Sequence, residues 1–256
     1  MIALLLRPWA LVERNARAAG RAVFTYVSGF LEPVFYLFAL GVGIGTLVGT
    51  IDVDGEAMSY AVFVAPAMMA TSAMNGAVMD STFNVFGKIK DAKLYHSVLT
   101  TPLSPRDVAV GEIGWALLRG LVYSVAFLLV ATLSGFVLSA WAVLAIPVAS
   151  LIGLAFGSVG MAATTYMRSW NDADYVQLAI LPLFLFSATF FPLSTYPPAL
   201  QWVVQATPLY HGVELIRSLT TGAVHARMWA HVAYLAVMSA LGLWAATRRI
   251  ERLLLT

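Results

Sequence analysis

Residues 87–112 read GKIKDAKLYHSVLTTPLSPRDVAVGE and separate two strongly apolar runs of the chain. The basic residues concentrated here are Lys88, Lys90, Lys93 and Arg106. A loop of this charge between membrane spans normally stays in the cytoplasm. Apolar residues recur at helical spacing from Ile89 to Leu99, which predicts about three turns of amphipathic helix before Pro102 and Pro105 end it. This helix would either lie on the anionic lipid surface or receive a contact from another protein.

The composition is that of a membrane protein. The 256 residues are 60% hydrophobic and 11% charged, whereas roughly a quarter of the residues in soluble globular domains are charged. The chain has no cysteine, which excludes disulfides and thiolate metal sites. Its net charge of +2 does not indicate a nucleic-acid partner. We expect no cleaved leader, because the apolar start before Arg7 is too short.

Hydropathy predicts an all-α integral membrane protein with a single transmembrane domain over residues 1–256. A span needs about 20 apolar residues. The six predicted spans cover residues 30–50, 60–83, 113–136, 142–166, 175–191 and 228–247. Before them, residues 7–24 predict an amphipathic interface helix along the membrane surface, with Arg14, Arg17 and Arg21 on one face.

The basic residues sort strongly by side of the membrane. The predicted cytoplasmic set is Arg7, Arg14, Arg17, Arg21, Lys88, Lys90, Lys93, Arg106, Arg168, Arg248, Arg249 and Arg252. Only Arg217 and Arg227 fall outside, and Arg119 lies within a span. Twelve basic residues on the cytoplasmic side against two outside predict a multi-pass protein of the cell membrane with both termini in the cytoplasm. The acidic turn over residues 52–56 then faces outward.

The second predicted span is unusually polar because it carries Thr71, Ser72 and Asn75. A face this polar points into protein or water rather than lipid. It either lines a translocation path or satisfies hydrogen bonds between helices, and the pattern leaves both open.

Arg119 lies about 9 Å along the third predicted span from its start, at 1.5 Å per residue. At that depth its side chain either snorkels to the membrane surface or pairs with an acidic residue at similar depth. The candidate acidic partners are Glu32 and Asp80. Snorkelling is the preferred interpretation, and it would leave Arg119 replaceable by lysine.

Small residues form two stripes that predict close helix packing. The first is Gly41, Gly45 and Gly49, and the second is Ala149, Gly153 and Gly157. The first stripe would serve either a subunit or gating interface or, by preference, packing within the chain.

A proline-rich segment, FFPLSTYPPALQWVVQATPLYHGVELIRSL at residues 190–219, is apolar but too interrupted to span a membrane. It predicts two short helices, 198–206 and 209–220, that dip into the outer face and return. Pro198 and Pro208 mark their starts. Glu214 and Arg217, three residues apart, are placed to form an ion pair.

Motifs of enzymes and metal sites are absent from the sequence. There is no G-x-x-x-x-G-K-[ST] phosphate loop, no H-E-x-x-H and no G-x-S-x-G. The glycines of GVGIGTLVG lie inside an apolar span without a following lysine. We therefore expect no catalytic residue, no metal site and no cofactor bound by this chain.

The chain resembles type-2 ABC exporter permeases, in particular the branch of nodulation-factor (lipo-oligosaccharide) and daunorubicin-type drug exporters. The resemblance covers nearly the whole length. It is carried by the basic N-terminal helix and by three segments: YAVFVAPAMMATSAMNGAVMDSTF, LTTPLSPRDVAVGEIGWA and the proline-rich segment.

The resemblance implies a coupling helix at residues 88–101 that touches a separate ATPase subunit, where ATP and Mg are bound. The implied coupling residues are Ile89, Lys90, Asp91, Lys93, Leu94, Tyr95 and Val98. The interface helix, 7–24, would border the same ATPase, and residues 198–220 would be re-entrant outer helices. Two permeases, identical or similar, would assemble with two ATPase copies in the lipid bilayer to export an amphipathic molecule.

The residues are also compatible with two other functions. An ion-coupled secondary transporter or channel would work without an ATPase, although ionisable groups deep in the spans are few. A membrane scaffold would bind partners and move nothing.

Overall fold

The computed structural model describes residues 2–19, 31–53, 55–90, 94–95 and 100–255, which are mostly helical. The helices are α1 (Ile2–Ala19), α2 (Leu31–Val48), α3 (Tyr60–Lys90), α4 (Pro105–Leu133), α5 (Ala140–Thr164), α6 (Asp172–Leu185), α7 (Pro198–Ala206), α8 (Pro208–Thr221) and α9 (Met228–Leu255). A short hairpin of β1 (Thr50–Val53) and β2 (Glu56–Ser59) lies between α2 and α3. Two helices contain π-helical segments, Leu37–Ile44 in α2 and Asp80–Asn84 in α3.

Within the described residues, five helices are long and apolar enough to cross a membrane: α2, α3, α4, α5 and α9. This confirms a predominantly helical membrane protein. The predicted fifth span, 175–191, is not among them, because α6 has 14 residues and ends at Leu185. Backbone beyond Phe186 leaves the helical conformation, and Ala188 adopts a φ of 53°. That helix is shorter than the roughly 20 residues needed to cross the hydrocarbon core.

Helix α3 forms the centre of the bundle. Its most apolar stretch is 78% buried, compared with 11% for α2 and 22% for α4. Phe63, Val64, Met68 and Met74 of α3 are fully covered by neighbouring helices. The outer helices instead leave large apolar side chains exposed, such as Leu47 and Leu133. Exposed apolar surface of this extent suits contact with lipid.

Small residues allow the neighbouring helices to approach α3 closely. A Cβ added at Gly41 of α2 would lie 3.3 Å from the Ala61 Cβ, and one at Gly157 of α5 would lie 3.6 Å from the Ala77 Cβ. The first stripe therefore packs within the chain at Gly41. Gly49, the last member of that stripe, instead ends α2 with a φ of 73°.

The acidic segment predicted as a simple turn belongs to the hairpin. β1 and β2 pair in antiparallel register, with Thr50 opposite Ser59 and Val53 opposite Glu56. Gly55 has a φ of 88°, and its backbone N–H donates to Asp52 Oδ1 at 3.0 Å. An aspartate–glycine pair between short strands is a typical two-residue hairpin signal, so the sequence contained the information that the turn prediction missed.

The boundaries around the basic segment differ from the prediction. Residues up to Lys90 continue α3 rather than starting a separate helix, and α4 begins at Pro105, eight residues before the predicted start of the third span. Pro105 starts a helix instead of ending one, because proline at the first helical position loses no hydrogen bond. Asp91–Lys93 and His96–Leu99, half of the predicted coupling helix, lie outside the described residues.

Candidate coupling site at the basic end of the bundle

The start of α4 is set by a reciprocal cap. The Ser104 Oγ accepts from the Asp107 backbone N–H at 3.2 Å, and the Asp107 carboxylate accepts from the Ser104 backbone N–H at 2.8 Å. Such a capping box satisfies two backbone donors that a helix start would otherwise leave unpaired. With α4 beginning at Pro105, Glu112 falls about two turns into the helix.

Helix α1 packs directly against this part of α4. A Cβ added at Gly111 would lie 2.8 Å from both the Leu11 Cβ and the Pro8 carbonyl oxygen, so only glycine fits there. Leu11 and Val12 are buried in the contact. This close approach brings the polar side chains of the next turn of α1 beside Glu112.

The carboxylate of Glu112 is a meeting point for three helices. It accepts from Lys88 Nζ of α3 at 2.5 Å and from Asn15 Nδ2 of α1 at 2.9 Å. Arg14 Nη2, also of α1, lies 3.4 Å from Glu112 Oε1. The Glu112 side chain is only 3% exposed. A buried carboxylate is costly without partners, and here two cations and an amide supply them.

Asn15 completes this network. Its Oδ1 accepts from Arg14 Nη2 at 2.8 Å and from Lys88 Nζ at 3.3 Å, while its Nδ2 donates to Glu112. An asparagine amide can donate and accept at once, so one side chain of α1 contacts the charged groups of both α3 and α4. We call Arg14, Asn15, Lys88 and Glu112 the Glu112 cluster.

Tyr95 brings the segment between α3 and α4 to the same place. It is 2% exposed. Burial raises the pKa of its hydroxyl well above the usual range, and the negative charge of Glu112 raises it further, so the hydroxyl stays neutral. Next to it lies an apolar cavity of about 60 Å³. Its lining residues are Val85, Ile89, Tyr95, Val108, Met161, Ile250 and Leu253.

The predicted coupling residues are distributed between interior and surface. Ile89 packs against the apolar core, Leu94 is half-buried and Tyr95 is buried. Lys90 is exposed, and its ammonium donates to the Arg168 carbonyl oxygen. Among the described members of this group, Lys90 therefore carries the exposed charge. Asp91, Lys93 and Val98 lie outside the described residues.

The predicted interface arginines also differ from one another. Arg14 points into the Glu112 cluster, whereas Arg17 is exposed and forms an ion pair with Glu13 one turn earlier on α1. Arg21 lies outside the described residues. The assignment of Arg17 to a partner surface stays a prediction.

Further contacts gather other predicted cytoplasmic residues at this end. Arg106 Nε lies 2.8 Å from Glu251 Oε1 near the end of α9, and the Arg249 guanidinium lies 4.1 Å from the centre of the Tyr166 ring after α5. Helix α1, the start of α4 and the ends of α3, α5 and α9 therefore meet at one end of the bundle, here called the basic end.

Arg119 forms an ion pair with Asp80, which joins α4 to α3. The preferred interpretation, snorkelling, is therefore wrong in this structure, because the rotation of the two helices turns these side chains toward each other. Asp80 also accepts from Asn84 Nδ2 at 2.6 Å. Glu32, the other candidate partner, is exposed on α2.

The candidate path residues are buried or half-buried in the part of the bundle that the structure describes. Thr71 is buried, and Ser72 and Asn75 are half-buried. Ser72 borders a cavity of about 20 Å³ between α3, α4 and α5, beside Arg119. Such a volume holds about one water molecule. The assignment of these residues to a path stays a prediction.

At the opposite end, the proline-rich segment forms α7 and α8, close to the predicted bounds. Pro198 and Pro208 begin the two helices. Arg217 of α8 is buried and lies 2.5 Å from Glu214, as predicted from their spacing. Its Nη2 donates to the Ala188 carbonyl oxygen at 2.8 Å, and its guanidinium stacks 3.9 Å from the centre of the Phe63 ring. The chain reversal after α6 is thereby fixed to α3.

Sequence reasoning missed Asn15 and Glu112 as a pair of functional candidates. The cap formed by Ser104 and Asp107 was a readable signal for where α4 starts, and it would have placed Glu112 inside a helix rather than in a loop. No local signal links Glu112 to Asn15, which lies 97 residues away in the chain.

Comparisons with known proteins agree with the membrane architecture. A profile of the ABC-2 type transporter family matches residues 8–220. The chain is 32% identical over 250 residues to nodulation protein J of Rhizobium leguminosarum bv. viciae, covering 96% of this chain and 94% of that protein. It is 31% identical over 254 residues to nodulation protein J of Sinorhizobium fredii, covering 97% and 95%.

A more distant similarity extends beyond the nodulation proteins. The inner membrane transport permease YadH of Escherichia coli is 22% identical over 213 residues, which cover 81% of each chain. The family profile and the near-complete coverage of relatives at about 30% identity lead to one conclusion: this chain is a multi-pass membrane permease that belongs to the ABC-2 type transporter family.

Proposed function

We propose that the chain is the membrane-spanning subunit of an ATP-driven exporter. It forms the translocation path for an amphipathic substrate, and a separate ABC ATPase subunit binds ATP with Mg and hydrolyses it. The sequence carries no phosphate-binding loop of its own. The proposed complex contains two permease copies, or this chain with a similar permease, and two ATPase copies.

The observation that carries the proposal is the meeting of two segments at the basic end. The resemblance implies that α1 and the stretch around Lys88–Tyr95 both contact the ATPase. Arg14 and Asn15 from the first segment and Lys88 from the second contact the same carboxylate on α4. A push on either segment therefore reaches the same helix.

The proposed cycle converts ATP-driven closure of the ATPase subunits into a change of helix arrangement. Closure would displace the coupling segments and shift the permeases from an inward-open to an outward-open state. The two states must differ in their contacts with ATPase and substrate for ATP to drive the change.

The proposed topology has six spans with both termini in the cytoplasm, as the charge distribution predicts. In this topology α6 and the reversal that follows it act together as the fifth crossing. Helices α7 and α8 are re-entrant on the outer face, and the basic end faces the ATPase. The contact of Arg106 with Glu251 supports a common side for the start of α4 and the end of α9.

The substrate class we propose is a drug-like amphipathic molecule, a lipid-linked saccharide or a glycolipid. Similarity to proteins named for nodulation favours the acylated saccharides within this class. The cavity beside Ser72 is too small for any such molecule, which supports a path formed between two permeases rather than inside one.

The first test is purification of the chain from its native membrane in mild detergent, followed by a search for an associated ATP-hydrolysing subunit. Transport of a fluorescently labelled acyl-oligosaccharide into sealed inverted vesicles should then require ATP. Transport without ATP, driven by an ion gradient in the absence of any ATPase, would instead support a secondary transporter.

A matched pair of charge reversals tests where the ATPase binds. Lys90→Glu reverses an exposed charge at the basic end, and Arg227→Glu makes the same change at an exposed position before α9. We expect only Lys90→Glu to reduce recovery of the ATPase. Leu94→Glu should act in the same direction, because it places a charge on the apolar flank of the coupling segment. Equal recovery in all variants would contradict this placement.

A further inference from the structure

We propose that Glu112 is a positioning residue for transport: it makes α1, the end of α3 and the start of α4 move together when the ATPase acts. This inference rests on the proposed function and adds the side chain that transmits the motion. Its basis is the set of contacts by which one buried carboxylate joins three helices.

The Glu112 carboxylate balances two positive charges. The Lys88 Nζ lies 2.5 Å and the Arg14 Nη2 lies 3.4 Å from the same carboxylate. Without a negative charge at position 112, two cations would lie close together in a partly buried site, where like charges repel more strongly than in bulk water. Glu112 is thus the group that allows α1 and α3 to approach each other against α4.

The shapes of α1 and α4 also fit closely beside Glu112. Beside Glu112, Gly111 leaves no room for a Cβ between α4 and the Leu11 and Pro8 atoms of α1. Contacts this tight resist sliding of one helix along the other, because closely packed surfaces have few alternative arrangements. Gly111 therefore sets how closely α1 approaches α4, and the Glu112 cluster ties both α1 and the end of α3 to α4 at that distance.

Lys88 connects the Glu112 cluster to the core of the bundle. Lys88 lies in the last turn of α3, which is the most buried of the long helices. Asp80–Asn84, just before that turn, is π-helical. Single π-helical turns are frequent at functional sites, since they relax the regular hydrogen-bond pattern. A pull on Lys88 would act on α3 next to this segment.

A Glu112 cluster that only stabilises the fold can be distinguished from one that transmits motion. If the cluster only stabilises the fold, its loss lowers stability and assembly, and transport and ATP hydrolysis fall together. Loss of a transmitting group leaves ATP hydrolysis in place and lowers the amount of substrate moved per ATP. The ratio of the two rates is therefore the decisive quantity.

The experiment uses the complete complex with its ATPase, reconstituted in liposomes, with a fluorescently labelled acyl-oligosaccharide as the transport probe. Glu112→Gln keeps the size of the side chain and removes its charge. The matched control is Glu251→Gln, which removes a carboxylate from the more exposed ion pair with Arg106 at the same end. We expect Glu112→Gln to lower transport per ATP about tenfold, the scale of one charge-assisted hydrogen bond, and Glu251→Gln to leave it unchanged.

Distance measurements provide a readout independent of substrate. Because the chain has no cysteine, spin labels can be attached at Ala18→Cys on α1 and Val125→Cys on α4, both at exposed positions. In the otherwise unchanged complex, the distance between the labels should be the same with and without a non-hydrolysable ATP analogue. With Glu112→Gln the distance should change with nucleotide, because α1 no longer moves with α4.

A second variant keeps the inference testable if Glu112→Gln fails to fold. Lys88→Gln releases only α3 and leaves one cation, Arg14, beside Glu112. It should lower transport per ATP while the label distance stays constant. Unchanged transport per ATP in a folded Glu112→Gln or Lys88→Gln complex would overturn the inference alone. Failure to recover any ATPase with the unmodified chain would overturn the proposed function instead.

Discussion

At the basic end of the bundle, ion pairs join helices that are far apart in the chain, whereas at the opposite end Arg217 pairs with Glu214 on its own helix. Arg14 and Glu112 are 98 residues apart, and Arg106 and Glu251 are 145 apart. Arg217 reaches other elements through the Ala188 carbonyl oxygen and the Phe63 ring instead.

The two ends are separated by most of the membrane. Phe63 and Lys88 lie 25 residues apart on α3, about 37 Å at 1.5 Å per residue. This difference in contacts predicts which end of the bundle moves. Charges shared between helices make those helices move together when one of them is pushed, while an arginine held by its own helix, a backbone carbonyl and an aromatic ring fixes a reversal of the chain. We therefore expect the basic end to move and the opposite end to act as a fixed support.

The largest effect is expected from removing the buried arginine of the opposite end. Arg217→Met should lower the free energy of unfolding by about 3 kcal/mol, the cost of breaking a buried ion pair. The exposed Arg227→Met should change it by less than about 0.5 kcal/mol. Thermal unfolding in detergent micelles measures both. Similar melting temperatures for the two variants would remove the distinction between the ends.

The second largest loss of stability is expected at the contact between α1 and α4. Gly111→Ala places a Cβ 2.8 Å from the Leu11 Cβ and the Pro8 carbonyl, and overpacking of this kind should cost about 1–2 kcal/mol. Gly120→Ala adds the same methyl group to the same helix where no atom lies within 4 Å, so it should not destabilise. Limited proteolysis should cut α1 faster in Gly111→Ala alone. Equal cleavage rates would show that α1 is not held at Gly111.

A smaller loss of stability is expected at the ion pair between α3 and α4. Arg119→Lys keeps the charge but loses part of the guanidinium contact with Asp80, which should cost about 1 kcal/mol, the scale of one hydrogen bond. Arg248→Lys, at an exposed position on α9, serves as the control. Thermal stability equal to that of the unmodified protein would favour snorkelling after all.

The smallest expected effect is a pH dependence at the opposite end. His211 of α8 lies outside the five candidate spans, with its Nδ1 2.6 Å from His231 Nδ1 and its ring stacked on Tyr234. Burial, and then the neighbouring His231, lower the pKa of His211 to about 4 from its ordinary 6.5. The unfolded chain therefore binds a proton at higher pH than the folded chain, so stability should fall as the pH drops from 6.5 toward 4.

The His211 prediction is checked by melting temperatures measured across that pH range. Replacement of His211 by glutamine should flatten the dependence, while His225→Gln, at an exposed position, should preserve it. An identical slope in the His211 variant would show that another group carries the titration.

Several parts of the fold could be read from local sequence. The helix predicted at 198–206 has the same bounds in the structure, because proline at the first helical position and the following Thr207–Pro208 set both ends locally. The predicted pair of Glu214 and Arg217 also depends only on helix geometry. Hydropathy averaged over about 20 residues was likewise enough to find the long apolar helices.

Other parts were misread because two local signals competed. Pro102 and Pro105 indicate the end of a preceding helix, yet Ser104 and Asp107 around Pro105 indicate the start of the next one, and the cap prevailed. In the acidic segment, the negative charge suggested a solvated turn, although the backbone pairing of β1 with β2 was encoded by the Asp54–Gly55 position.

The sequence by itself determined that this is a helical membrane protein, where five long apolar helices lie in the described residues, and where positive charge accumulates. These properties depend on composition and on neighbours within a few turns of helix. Only the tertiary structure decided that Arg119 meets Asp80 and that Glu112 gathers Arg14, Asn15 and Lys88. Such partners depend on how each helix is rotated and packed against the others, and small residues such as Gly111 set that packing across long separations in sequence.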